Sequence, residues 1–213
     1  MSVQIQVLCL AFFSLWPTKW HNPVQACHVI QETHEVLQQL GADYEIELLV
    51  ALFKKESNFK AYLGPNKAGA CGLGQQIPAY TRYYSDKQYT CREIKDSKTS
   101  IRLTVQALNY LHDKSKEKTN NRNYKIPPTE EGLYHALCMY SQGTRSNCDN
   151  WRGVHYGTSY TRTVIKWRDQ LKKRKQEIAS CLQKETCEME FEFPEALPIT
   201  IVNDYPTHVY GVE

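Results

Sequence analysis

Apolar positions recur at helical spacing along most of this chain. Residues 27–40 place Ile30, Leu37 and Leu40 among Gln, Glu and His and stop at Gly41, which predicts a helix. Asp43 is the expected N-cap of a second helix, with Ile46, Leu48, Leu49, Leu52 and Phe53 mostly on one face and Glu56-Ser57 at its end. Residues 60–78 carry Gly64, Pro65, Gly69, Gly72, Gly74 and Pro78 and read as a loop region, with room for β-like pairing. A helix from about Thr99 to Lys114 buries Ile101, Val105, Leu108 and Leu111. Thr129-Glu130-Glu131 opens the next, through Leu133, Leu137 and Tyr140 to Gly143. Tyr160 to about Leu182 is a long basic helix with Val164, Trp167 and Leu171 on its apolar side. After Cys187 the pattern turns extended: Glu190-Phe191-Glu192-Phe193 alternates with period two, and Pro194, Pro198 and Pro206 exclude a central strand. The expected body is mainly α, followed by an extended arm.

The two ends differ from this body. The first 18 residues carry no charged side chain, and Val7–Trp16 is an apolar run of ten, too short to span a bilayer of about 30 Å comfortably. Residues 1–26 therefore read as a signal peptide, with Val24-Gln25-Ala26 as the cleavage pattern, or as a retained apolar segment. No Lys or Arg precedes the run, which is atypical of a signal peptide. Residues 185–213 hold seven acidic residues and no Lys or Arg. Removing those seven from the 23 acidic residues leaves 16 against 26 Lys and Arg, a balance of +10 for residues 1–184. A basic body suits an anionic polymer such as cell wall, and a solvated helix face explains it equally well.

Eight cysteines in 213 residues, with no C-x-x-C, indicate disulfides and an oxidising compartment. Cys138 with Cys148, Cys181 with Cys187, and Cys71 with Cys91 are the local pairs. Cys27 is then unpaired, a lipidation site, or bridged to Cys9 in an uncleaved chain. The His residues show no metal spacing; His135 and Cys138 share a helix face without a second pair, so no metal or cofactor is expected. Gly69, Gly72 and Gly74 lack the Lys and Ser/Thr of a phosphate loop. The basic stretch 162–175 carries no nucleic-acid reading motif, and no nucleic-acid partner is expected.

Taken alone, Glu56 is an ordinary carboxylate beside Lys54 and Lys55. Its surroundings give it meaning. Lys55-Glu56-Ser57-Asn58-Phe59 is followed by Ala68-Gly69-Ala70-Cys71-Gly72-Leu73-Gly74-Gln75-Gln76-Ile77-Pro78, then by Ala136-Leu137-Cys138-Met139-Tyr140-Ser141-Gln142-Gly143, then by Tyr160-Thr161-Arg162-Thr163-Val164. This order, over roughly residues 44–170, resembles the soluble lytic transglycosylase family. That family has Glu-Ser at a helix end, a Gly-Leu-Met-Gln loop ending in Pro, an Ala-Tyr-Asn-Ala-Gly segment and a late Tyr-Val pair. The resemblance implies a lysozyme-like fold of the α+β kind, a helical two-lobed domain with a substrate cleft over residues 27–184, and the arm 185–213 appended. It implies Glu56 as the catalytic acid and then base, with Ser57, Asn66, Gly72, Gln75, Ile77, Tyr140 and Tyr160 along the sugar site. The substrate would be peptidoglycan glycan strands, cut at the MurNAc–GlcNAc β-1,4 bond to leave 1,6-anhydromuramic ends.

The sequence departs from that pattern at Gly74 (usually Met), at Ile77 (where a second Met is common), at the polar Gln76, at Asn66 (often Ser) and at Ser141-Gln142 (Asn-Ala). Two alternatives therefore stay open. One is a hydrolytic muramidase, which needs a second acid from Glu93, Asp96 or Asp149. The other is a non-catalytic glycan-binding or structural component. The unexplained ends fit export to the bacterial periplasm or cell envelope, or a place in a phage virion, with the 185–213 arm meeting a protein partner in a secretion apparatus or phage particle.

Overall fold

The computed structural model describes residues 2–16, 23–120, 130–144, 148 and 156–184. Among these the chain is mostly helical and forms no β-strand. The helices are α1 (Val3–Leu15), α2 (Pro23–Leu40), α3 (Ile46–Glu56), α4 (Pro78–Thr81), α5 (Cys91–Ile94), α6 (Ser97–Asn120), α7 (Glu130–Gln142) and α8 (Tyr156–Leu182). The β-like expectation for residues 60–78 reduces to one isolated antiparallel bridge between Cys71 and Gln76. The arm 185–213, with its alternating Glu-Phe stretch and Cys187, lies outside the described residues.

Helix α3 is the centre of the molecule. It packs on α2 and α8, while α6 packs on α7 and α2, and α7 on α8. The expectation of one apolar face on α3 was too narrow, because Glu47 through Phe53 are all buried. A helix covered on all sides needs apolar residues all round, and Ile46-Glu47-Leu48-Leu49-Val50-Ala51-Leu52-Phe53 supplies them. Its N-cap is Glu45, not Asp43. Glu45 and Glu47 sit at the positive end of the helix dipole, which favours carboxylates. Both are also paired with α8. Lys172 Nζ lies 2.6 Å from Glu45 Oε1, Arg168 Nε lies 3.7 Å from Glu45 Oε2, and Lys175 bonds Glu47. Part of the basic helix face is therefore paired with acidic side chains of the same chain, the Lys172–Glu45 pair at the surface and Lys175 with the buried Glu47.

The apolar N-terminal run forms α1, whose Ile5 and Val7 through Phe13 are buried against α8 and α2. Cys9 is bridged to Cys27, and Ala26 of the expected cleavage pattern is fully buried within α2. No helix among the described residues is long and apolar enough to cross a membrane. Cys71–Cys91 and Cys138–Cys148 pair as expected. Cys181 is disulfide-bonded as well, while its expected partner Cys187 lies outside the described residues. Closing the 18-residue separation between Cys9 and Cys27 stabilises a fold by about 3 kcal/mol in the chain-entropy picture.

Phe12 joins α1 to the rest. Its ring meets Phe59 edge-on at 4.9 Å and lies 5.1 Å from Trp16, whose own ring is 5.6 Å from Trp167 of α8. Phe59 follows the end of α3, so α1 supports the turn that leaves that helix. Phe12→Ala should lower unfolding free energy by about 3 kcal/mol or more, read from a denaturant titration. An unchanged midpoint would show that α1 is not part of the cooperative core.

Candidate active site

Glu56 is the last residue of α3. The helix ends there because the chain turns through two left-handed residues, Asn58 at φ 53° and Phe59 at φ 64°. Asn tolerates that region, but a bulky aromatic seldom enters it. Phe59 is held there by burial to 1% exposure. The Ser57 hydroxyl is also committed to this turn, donating to the Phe53 carbonyl at 3.2 Å from a buried position. Of the expected site residues, Ser57 is thus a helix-end residue rather than a group presented to a ligand.

Glu56 as a residue is half-buried, with its carboxyl end the enclosed part. Burial pushes the carboxyl up to about 7, against a hydrogen bond from Tyr160 and the nearby Lys55 charge, which both pull it down. Its place at the negative end of α3 also disfavours the anion. The Tyr160 hydroxyl donates to Glu56 Oε1, so the start of α8 and the end of α3 meet at this carboxyl. Among the described residues, no carboxylate contributes to its raised pKa. Glu93 and Asp96 are committed elsewhere. Glu93 forms a capping box with Thr90 at the start of α5, and its hydrogen bond from Lys87 holds it down at about 2. Asp96 accepts from the Thr99 backbone N–H at 2.8 Å, at the start of α6. Asp149 lies outside the described residues.

The loop between α3 and α4 carries Asn66, Gly72, Gln75 and Ile77. Asn66 Oδ1 accepts from the backbone N–H of Ala68 and Ala70 at 2.8 and 3.0 Å, which folds the loop on itself. Its Nδ2 donates to Gln75 Oε1 at 3.0 Å, and Gln75 Nε2 donates to the Gly72 carbonyl at 2.9 Å. Gln75 itself is left-handed at φ 49° and partly exposed. Gly72, at φ 74°, has no room for a side chain: an added Cβ would lie 2.8 Å from Ser100 Oγ. Ile77 is half-buried and caps α4 at its N-terminus. The structure therefore groups Asn66, Gly72 and Gln75 in one hydrogen-bonded loop, with Ile77 at its exit.

Tyr140 of α7 links this loop to Glu56. Its hydroxyl donates to the Gly74 carbonyl at 2.6 Å and accepts from Gln76 Nε2. Burial and the Glu56 charge both raise the Tyr140 hydroxyl well above its usual pKa, so it stays a neutral donor. Gln76 is buried, and its amide contacts Thr104 Oγ1 at 3.4 Å while its Oε1 accepts from the Tyr84 hydroxyl. Sequence reasoning missed Gln76, Thr104 and Tyr84 as a unit. Its signal was present as an unexplained polar residue at an apolar position. The Gly74 departure has the same origin, because an added Cβ would lie 2.7 Å from the Tyr140 hydroxyl and closer still to Thr104 Oγ1. The space a Met would occupy is taken by this network. Among the described residues there is no cluster of His, Cys, Asp or Glu that could hold a metal.

Three outcomes follow from this geometry. A carboxylic acid raised from 4.5 to about 7 by folding binds a proton in the native state that the unfolded state has lost, so stability falls as pH rises through that window. Glu56→Gln should match the parent at pH 4 and exceed it at pH 8 in urea titrations. Tyr160→Phe removes an interaction with the anion, and should move the Glu56 carboxyl resonance midpoint in NMR further upward; a downward shift would mean that Tyr160 does not act on this group. Gly74→Ala should cost about 1–3 kcal/mol of stability through overpacking, measured by the same titration.

The family model described as Transglycosylase SLT domain matches residues 37–160, more than half of the chain. No curated protein matches the chain.

Proposed function

The chain belongs to the transglycosylase SLT domain family, and on that premise we propose that it cuts peptidoglycan glycan strands at the MurNAc–GlcNAc β-1,4 bond, with Glu56 as acid and then base. The observation that supports this most is the enclosed Glu56 carboxyl with its pKa near 7. A general acid works best when its pKa lies near the working pH. At neutral pH a large share of the molecules then carry the proton that the glycosidic oxygen needs.

In this reading Tyr160 occupies Glu56 Oε1, which leaves Oε2 to present the proton. Oε2–H protonates the glycosidic oxygen as its bond to the anomeric carbon breaks. The positive charge that develops is shared by the substrate's own N-acetyl group. The C6 hydroxyl of the same sugar then attacks the anomeric carbon, and the Glu56 carboxylate takes that hydroxyl's proton. One C–O bond breaks, one forms, the proton returns to Glu56, and no water is consumed. In this reading Tyr140, as a neutral donor, and Gln75, as a partly exposed amide, are the sugar contacts. The commitment of Glu93 and Asp96 to helix caps supports this route over a hydrolytic one, which calls for a second carboxylate.

The disulfides support a location outside the reducing cytoplasm, in the bacterial periplasm or cell envelope, or on a phage particle.

Mass spectrometry of purified peptidoglycan digested with the protein tests the reaction. The expected products are anhydro-muropeptides, with Glu56→Gln reducing their release at least about 10²-fold. Reducing-end muropeptides would make the protein a muramidase on the same scaffold. Absence of products with retained wall binding would make it a glycan-binding component.

A further inference from the structure

The short helix α4 and the turns after it have two unlike sides. Its inner side is fixed. Thr81 is fully buried, donates to the Pro78 carbonyl at 2.8 Å and accepts from the Tyr89 backbone N–H at 2.8 Å. Tyr84 donates to Gln76, the amide that also holds Tyr140. The outer side is formed by Tyr80 and Tyr83, three residues apart and hence on one face. They are 56% and 53% exposed, with ring centroids 6.4 Å apart. The Arg82 guanidinium lies 5.1 Å from the Tyr83 ring, and its Nη2 donates to the Tyr83 hydroxyl at 3.1 Å.

Single exposed tyrosines are ordinary on a protein surface. Here two of them share one face of a segment whose opposite face is held by buried hydrogen bonds, so the backbone that carries both rings is fixed. Aromatic faces carry negative potential, and β-linked pyranoses present flat faces of axial C–H groups with the opposite polarity. A fixed backbone under the rings lowers the freedom lost on stacking. A guanidinium beside them matches a carboxylate, which the peptide stems of peptidoglycan carry and a bare polysaccharide lacks. The patch adjoins the proposed sugar site along the chain: Tyr80 donates its backbone N–H to the Ile77 carbonyl at 2.9 Å, and Ile77 ends the loop that carries Gln75.

We propose that Tyr80 and Tyr83 form a distal saccharide-stacking subsite, with Arg82 engaging a stem-peptide carboxylate, onto which a glycan strand runs beyond the bond at Glu56. This deepens, and rests on, the glycan-cleaving reading above. The subsite acts on binding rather than on the bond broken, so its loss should appear in the amount of substrate needed for half-maximal rate.

The test compares the full chain with the double variant Tyr80→Ala/Tyr83→Ala, with Tyr80→Phe/Tyr83→Phe, and with Arg82→Ala. Rates of anhydro-muropeptide release are measured against the amount of purified peptidoglycan. The double Ala variant should raise apparent KM about tenfold and keep kcat within about twofold, while the double Phe variant restores KM. Arg82→Ala should raise KM on intact peptidoglycan but not on glycan strands stripped of their stems by an amidase. Unfolding midpoints equal to the parent's exclude a folding defect. An unchanged KM in the double Ala variant, or a loss confined to kcat, overturns the subsite. Co-sedimentation of the same variants with sacculi, in a Glu56→Gln background, separates the two readings. Weakened binding by the double Ala variant supports the subsite even if the parent releases no product, in which case only the cleavage reading fails. Unweakened binding there counts against the subsite whatever the activity.

Discussion

The rest of the structure depends on keeping one carboxyl out of water at the end of α3. An ionised carboxylate is costly to bury, and the end of a helix that repels anions adds to that cost. The fold tolerates the cost because α3 is held on all sides. Apolar residues through Phe53 fix the helix, Phe59 fixes the turn beyond it, and α8 brings Tyr160 to one carboxyl oxygen. The raised pKa of Glu56 is the consequence, and it is what the proposed role of Glu56 as the acid calls for. The departures of the loop from its family pattern do not weaken this arrangement, since they lie in the wall built around Gln76 and not in α3.

That wall is organised around Gln76. One amide accepts from Tyr84 and donates to Tyr140 and Thr104, so a buried polar side chain is satisfied on both of its ends. Gly74 makes room for the Tyr140 hydroxyl to reach the backbone. The same amide anchors the inner side of α4 and thereby sets the outer tyrosines. A polar network of this kind rigidifies only if every member is paired, which explains why a Gln at an apolar position and a Gly in place of a large side chain occur together.

The basic helix α8 has a double use. Arg168, Lys172 and Lys175 meet Glu45 and Glu47 at the start of α3, which joins the two helices at the end remote from Glu56. Exposed pairs of this type add little stability individually. Their role is to align two long elements whose opposite ends meet at Tyr160 and Glu56. Charge read from composition as an attraction for an anionic wall is thus partly internal.

The sequence by itself determined the helices of the body, because apolar spacing reports which face is covered, and it determined the family, because four short motifs occur in order. Gly41 and Gly143 closed α2 and α7 where the pattern placed them, and near neighbours in sequence made the Cys71–Cys91 and Cys138–Cys148 pairs legible. It singled out Glu56, Tyr140 and Tyr160 through the resemblance. Only the tertiary structure decided what those residues touch. The N-cap is Glu45 rather than Asp43, and its side chain pairs with α8 instead of capping the helix. Ser57 was drawn into the helix end by the left-handed turn at Asn58 and Phe59. Gln76 became a hub only once Tyr84, α6 and α7 came together around it. The apolar run at the start of the chain shows the limit most clearly: its hydrophobicity says only that it will be covered, while the contact of Phe12 with Phe59 and the bridge from Cys9 to Cys27 depend on segments further along the chain. Spacing is a local property and survives in one dimension; burial, pKa and hydrogen-bond partners depend on distant segments and exist only after the chain has folded.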